Sequence, residues 1–290
     1  MDERDRLAGR FEQRRGRLRA VAYRMLGSLN EADDAVQEAW LRLDRGRADE
    51  IEDLDAWLTT VVGRISLNML RARASRREQP LGVRMADPVV DPVDGTDPEH
   101  EALVAGAVGL AMHVVLDQLG PAERLAYVLH DMFAVPFDDV ATVLDRSPDA
   151  ARQLASRARR RVREATPVAD ADAGAGWEVV DAFIAAAREG DLEGLVAVLD
   201  PDVVLRADLG PLKPTRIMRG AQAVAKGARS FQRPGLVVRP ALVNGAPGAV
   251  STLHGEPFSA GSVVIRGGRI VAIDLLADPE RLRALGPFPV

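Results

Sequence analysis

The sequence predicts a multidomain chain: two all-α blocks, a helical bundle and then a helix-turn-helix, followed by a C-terminal α+β domain. Three observations predict this. Apolar residues recur at helical spacing through roughly 5–80 and again through 103–165. A proline-rich acidic stretch (81–102) and an Ala/Gly/Asp-rich stretch (166–176) break that periodicity. From 177 to about 286, two helical patterns give way to alternating runs punctuated by hairpin turns. A chain of 290 residues has room for two or three such domains.

The bundle begins with Leu18, Val21, Ala22, Met25 and Leu26 on one helical face, ended by Gly27 and Ser28. Asn30 can cap a second helix with Glu31, Asp33 and Asp34 in its first turn, where the macrodipole favours acids. Its apolar stripe is Ala35, Val36, Ala39, Trp40 and Leu43, which leaves Asp34, Gln37, Glu38 and Leu41 as a carboxylate-and-amide face with one apolar anchor. A third helix from Ala56 has Trp57, Leu58, Val61, Ile65 and Met69 as its buried side. No acid occurs between Ala56 and Arg77, whereas Arg64, Arg71, Arg73, Arg76 and Arg77 do, and Arg64, Asn68 and Arg71 share one face.

Pro80, Pro88, Pro92 and Pro98, interleaved with acids, predict an extended, solvated tether. The second block restarts at Pro121 after Gly120, with Leu125, Val128, Leu129 and Met132 buried. A short helix, FDDVATVL, buries Phe137, Val140, Ala141 and Leu144. A turn follows, with Ser147 as cap and Pro148 as first helical residue of the next helix. Two helices so joined are a helix-turn-helix signature.

That last helix carries six arginines and two acids in a chain of net charge −5. Ala151, Leu154, Ala155, Ala158 and Val162 form its packing face. Arg152, Gln153 and Ser156 then project from its N-terminal turns, where donors can meet base edges, while Arg157 and Arg160 fall where phosphate would lie. Charge runs are usually solvated faces. This one follows a helix-turn-helix and is almost unbalanced by acid, so DNA contact is the stronger reading. The basic end of the bundle follows the same logic if the two blocks act together.

In the third domain, helices at Trp177–Arg188 and Asp191–Leu199 precede strand-like runs, with hairpin turns at Asn244–Gly245 and Gly267–Gly268. An antiparallel meander is predicted, with His254 in one of its strands. Asp202, Asp208, His254 and Asp274 are the candidate groups for an acid–base site or ligand pocket, Asp208 and His254 foremost.

Composition excludes several classes. The chain has no cysteine, so it has no disulfide, thiolate zinc site or cysteine nucleophile, which suits a reducing cytoplasm. Its four histidines match no metal-ligand spacing, and no metal or cofactor is expected. No run of about 18 apolar residues spans a membrane, and the charged N-terminus is unlike a signal peptide. Aromatics at 4% argue against a base-stacking platform.

The stretches DDAVQEAWLRL and DLDAWLTTVVGRISLNMLRARASRRE resemble region 2 of bacterial extracytoplasmic-function sigma factors of the sigma-70 family. LGPAERLAYVLHDMFAVPFDDVATVLDRSPDAARQLASRARRRVRE resembles their region 4. The wording HDMFAVPFDDVA…ARQLASRAR is similar to the SigJ-like group, which carries an extra C-terminal domain. AFIAAAREGDLEGLVAVLDPDVVLRAD and VVIRGGRIVAIDLLADPERL resemble that domain, a SnoaL-like, NTF2-like α+β cone. The resemblance implies that Asp34, Gln37, Glu38 and Leu41 face the β′ clamp of core RNA polymerase. It implies that Arg64, Asn68 and Arg71, with Arg76 and Arg77, engage the −10 element, and that Arg152, Gln153, Ser156, Arg157 and Arg160 engage the −35 element. It also implies contact with the β flap, a tether lying in a polymerase channel, and a third domain that regulates the others, with a small molecule as its candidate ligand. Where the group has a WLPEP-like tether segment, this chain reads VRMADPVV, and an Asp-Gly-Gly-Gly-like turn is replaced by ADLGPLKPTR. DPERL resembles the group's C-terminal NPDKL-like motif. Two rivals stand beside this reading: a stand-alone helix-turn-helix regulator, and a ligand-converting NTF2-like enzyme with a DNA-binding appendage.

Overall fold

The structure, a computed structural model, describes residues 3–46, 51–75, 84–95, 97–104, 109–165, 173–228 and 232–288. The chain divides into two compact units. One comprises Met1–Gln79, Glu101–Leu103 and Val115–Ala165; the other comprises Pro80–His100, Val104–Val114 and Thr166–Val290.

In the first unit, α1 (Glu3–Leu26) ends at Gly27, whose φ of +68° reverses the chain. Helix α2 (Leu29–Arg45) starts immediately, so Ser28 is its N-cap and Asn30 lies inside the first turn. Leu18, Val21, Ala22 and Met25 of α1 are buried, as are Ala35, Val36, Ala39 and Leu43 of α2. Trp40 closes the α2 stripe against Phe11, with ring centroids 5.1 Å apart.

Helix α3 (Leu54–Ser75) is buried on two sides rather than one. Leu58, Val62 and Ile65 are buried, and so are Gly63, Ser66 and Leu67. The helix packs against α1 and α2 and also against α6 (Pro121–Ala126) and α7 (Phe137–Leu144). Gly63 makes this double packing feasible: a Cβ there would lie 3.2 Å from Leu129 Cδ1 and 3.5 Å from Leu125 Cδ1. The two helical blocks thus share one core.

After α6 the helix widens into a π-helical turn, Tyr127–Met132, which buries Val128 and Leu129 and ends at Ala134 with φ +57°. Helix α7 stops at Asp145 in the left-handed region (φ +56°). Ser147 Oγ accepts from Ala150 N at 3.2 Å and opens α8 (Pro148–Ala165). Ala151, Ala155, Ala158 and Val162 of α8 are buried, and Leu154 is half-buried.

The second unit is a seven-stranded sheet covered by helices. Strands β1 (Val90–Asp91), β2 (Leu199–Asp208), β3 (Arg216–Arg219), β4 (Leu236–Val243), β5 (Ala246–Leu253), β6 (Glu256–Arg266) and β7 (Arg269–Leu276) lie in the order β1-β4-β5-β6-β7-β2-β3. Strands β4 to β7 form the antiparallel meander that the alternation predicts. Strand β2 departs from it by pairing parallel with β7, because the chain enters the sheet from the helices α9 (Ala173–Glu189) and α10 (Leu192–Val198). Those helices and α11 (Ala221–Gly227) bury Val180, Phe183, Ala187, Leu195 and Val224 against Leu199, Val203, Ile270 and Ile273, an α+β cone. The hairpin turns at Asn244–Gly245 and Gly267–Gly268 have positive φ at both residues. A third such turn is His254–Gly255 (φ +52° and +89°). His254 is therefore a turn residue and not a strand residue, in a backbone region where histidine is tolerated better than most side chains.

The tether departs from its sequence reading in two respects, burial and the helix that begins at Pro98. Residues 84–89 are irregular, as the prolines require, but Met85, Ala86, Asp87, Val89, Val90 and Asp91 are buried in the second unit instead of solvated. Strand β1 pairs with β4, and Asn244 bonds Val89 in both directions: Asn244 N donates to Val89 O (2.8 Å), and Val89 N donates to Asn244 Oδ1 (3.1 Å). Met85, Ala86, Val89 and Val90 supply apolar surface to bury, and the two acids buried with them are paired, Asp87 with Arg281 and Asp91 with His100. A helix, α4 (Pro98–Val104), follows, then α5 (Gly109–Asp117). Among the described residues, no helix is long and apolar enough to cross a membrane.

Candidate nucleic-acid interface and ligand cavity

Helix α8 presents its polar side outward because its Ala/Val row is packed on α6, α7 and the π turn. Arg152, Gln153, Ser156, Arg157 and Arg160 are all exposed. Several of its arginines are held by acids of the same unit. Glu123 takes Arg157 (3.2 Å) and Arg161 (2.7 Å), Asp131 takes Arg159 (2.6 Å), and Asp149 takes Arg152 (2.6 Å). The Arg152 guanidinium also sits 5.5 Å from the Phe137 ring centroid, and Phe137 in turn stacks on His130. Gln153, Ser156 and Arg160 make no such bond to a described residue, so their donors are unengaged.

On α3, Arg64, Asn68 and Arg71 are exposed along one face. Arg64 Nη2 donates to the Thr142 carbonyl at 2.9 Å, at the end of α7. Arg17 donates likewise to Phe133 O (3.0 Å), and Arg124 to Arg24 O (3.1 Å). Arg73 has a structural role, binding Glu31 and the Leu26 carbonyl. Arg76 and Arg77 lie outside the described residues. On α2, Asp34 and Gln37 are exposed, and Glu38 and Leu41 are half-buried. Glu38 is bound to Arg42 at 2.9 Å, so the face keeps its carboxylate-and-amide character with one charge partly neutralised.

In the second unit a cavity of about 220 Å³ opens between the sheet and α9 and α11. Its walls include Phe183, Leu205, Met218, Val224, Leu236, Phe258 and Leu275, with Arg216, Arg233, Ser251 and Ser259 as its polar groups. None of Asp202, Asp208, His254 and Asp274 lines it. The cause is the two-residue period of the strands. Leu205 and Ala207 of β2 and Leu275 of β7 face the cavity, so Arg206, Asp208 and Asp274 face the other side. There Asp274 is 1% exposed and accepts from Arg206 through both oxygens, at 2.6 and 3.1 Å. Burial pushes its carboxyl above the usual aspartate range, and Arg206 pulls it back. Among the described residues, no cluster of three or more His, Asp or Glu could hold a metal ion.

Asp208 belongs to a different cluster. Its Oδ2 accepts from Met85 N (2.9 Å) and from Arg281 Nη1 (2.9 Å), and its Oδ1 accepts from Gly210 N (3.0 Å). Arg281 on α12 (Pro279–Ala284) also donates to Asp87 Oδ1 (3.0 Å) and Met85 O (2.7 Å). One guanidinium thus joins the VRMADPVV, ADLG and DPERL segments. Arg281 and Asp87, which hold this junction, are residues that sequence reasoning did not single out. The signal available was that the three segments are the very motif positions of the SigJ-like group.

Comparison with known proteins accords with this geometry. Residues 10–76 match the family model for Sigma-70 region 2, and residues 110–162 match that for Sigma-70, region 4. The chain is 41% identical over 288 residues to the ECF RNA polymerase sigma factor SigJ of Mycobacterium tuberculosis, spanning 93% of this chain and 91% of that protein. The crystal structure of the Mycobacterium tuberculosis extracytoplasmic function sigma factor SigJ superposes with a TM-score of 0.76 at 38% identity, covering 95% of this chain and 98% of that one. A bundle, a helix-turn-helix and an α+β cone in that order, with this identity along nearly the whole length, leave one assignment: the chain belongs to the extracytoplasmic-function sigma factors of the sigma-70 family.

Proposed function

We propose that this chain binds core RNA polymerase and directs it to a class of promoters, with the α+β cone regulating that activity. The observation that carries the reading is the presence of both sigma-70 regions, in order, on one chain. In this reading the α2 face of Asp34, Gln37, Glu38 and Leu41 docks on the β′ clamp, and the helix-turn-helix reaches the β flap. Arg64, Asn68, Arg71, Arg76 and Arg77 engage the −10 element. Gln153 and Ser156, with Arg152, read base edges of the −35 element, and Arg157 and Arg160 bind phosphate. The chain works in the cytoplasm, where polymerase and DNA are, and needs no cofactor. The cone acts by binding rather than by turnover, since its acids and its histidine lie outside the cavity.

Run-off transcription with core polymerase tests this. The chain plus core gives promoter-specific product, and neither gives it alone. Gln153→Ala lowers output from promoters carrying the recognised −35 sequence about tenfold or more, because a base contact contributes ~1–3 kcal/mol of discrimination. Stable binding to core without product on any genomic promoter fragment would count against the reading. Tight promoter binding by the free chain would favour a stand-alone regulator.

A further inference from the structure

The cavity of the cone is apolar within and cationic at its rim. Ser251 is 2% exposed, and its hydroxyl lies 2.6 Å from that of Ser259. One O–H bridges the pair, so the second O–H is left to point elsewhere. Arg216 and Arg233, by contrast, are exposed. The Arg233 guanidinium lies over Phe258, 5.5 Å from the ring centroid. Neither arginine pairs with a carboxylate among the described residues, and no described lining residue is acidic. Two uncompensated guanidinium groups at the mouth of an apolar chamber complement a carboxylate on an apolar body. At about 220 Å³ the chamber is smaller than the ~300–1,000 Å³ of drug-sized pockets, so the apolar body is a medium-length chain or one to two rings.

We infer that the cone binds a small amphipathic carboxylate, its acid group held by Arg216 and Arg233 and its apolar body among Phe183, Leu205, Met218 and Phe258. This rests on reading the cone as a regulatory rather than a catalytic module. The site has a route to the rest of the second unit. Ala207 and Leu209 line the chamber, and Asp208 between them holds Met85 of the tether on the other side of the strand.

Titration calorimetry of the full chain, without polymerase, tests the inference with octanoate, octan-1-ol and octylamine as probes. Octanoate binds one per chain, the alcohol binds at least tenfold more weakly, and the amine gives no binding heat. Arg216→Gln and Arg233→Gln, both at exposed positions that tolerate change, each weaken octanoate about tenfold and leave the alcohol unaffected. Ala207→Phe, its folding checked by its unfolding transition, blocks octanoate. Equal affinity for octanoate and octanol, unchanged affinity in both arginine variants, or no octanoate heat up to its solubility overturns the inference. Such a failure leaves the run-off result untouched, so the two readings fall separately.

Discussion

Arg281 shows how much one side chain carries in this chain. Its guanidinium meets two carboxylates and a carbonyl at once, a fork geometry that lysine's point charge does not reproduce. Removing it takes the guanidinium away from two carboxyl groups that are nearly buried, Asp87 and Asp208. Arg281→Ala therefore lowers unfolding free energy by about 3 kcal/mol, Arg281→Lys recovers less than half, and both speed proteolysis within 84–91. Chemical denaturation with mass mapping of the cleavage sites checks this, and an undiminished midpoint would refute it. Asp274 gives a second, opposite case. Its folded carboxyl holds its proton more tightly than the unfolded one, so its contribution to stability is full below the ordinary aspartate pKa of ~3.9 and fades as pH rises through the raised folded value. The melting temperature of the native chain relative to Asp274→Asn should fall across that window. A pH-independent difference would refute it.

At the scale of elements, legibility in the sequence follows burial geometry. Helices α2, α7 and α8 bury one stripe each, and their periodicity gives both the element and its outward residues. Strand β4 alternates in burial along its length, the pattern expected of a strand in the meander. Helix α3 is buried on two sides, so its polar and apolar residues show no single stripe, and the sequence betrays only one of its partners. The π turn and the short strand β3 carry no pattern of their own; tertiary packing creates them. The exposed basic and polar residues of α3 and α8 were legible because charge accumulates where solvent reaches. The cavity was not, because its residues lie far apart in the chain, and the acids that drew attention sit one strand position out of phase with it. Gly63 is the sharpest element-level test. Gly63→Leu forces a side chain into Leu125 and Leu129 and destabilises the first unit by about 1–3 kcal/mol. It also frees Arg64 from Thr142 and separates the two helical blocks. Thermal unfolding, with a distance probe between α3 and α7, reads both effects, and unchanged values would show that the seam is not maintained in solution.

For the molecule as a whole, charge and function are reconciled by location. A net −5 disfavours general DNA binding, yet exposed arginines gather on α8 and on the outer face of α3. A chain brought to DNA by a larger partner has no need of a general positive field.

The interleaving of the two units along the chain has a consequence for inheritance. Residues 80–100 and 104–114 precede the helix-turn-helix in sequence but belong with the cone in space. A nonsense mutation after position 165 would leave the two sigma regions whole, yet strand Met85, Ala86, Val89 and Val90 without their sheet. Each large one among them would then expose ~1.5–3 kcal/mol of apolar surface. Losing the cone cleanly requires two coordinated deletions rather than one stop codon. Selection that tolerates a dispensable terminal domain elsewhere would act here against the simplest way of discarding it.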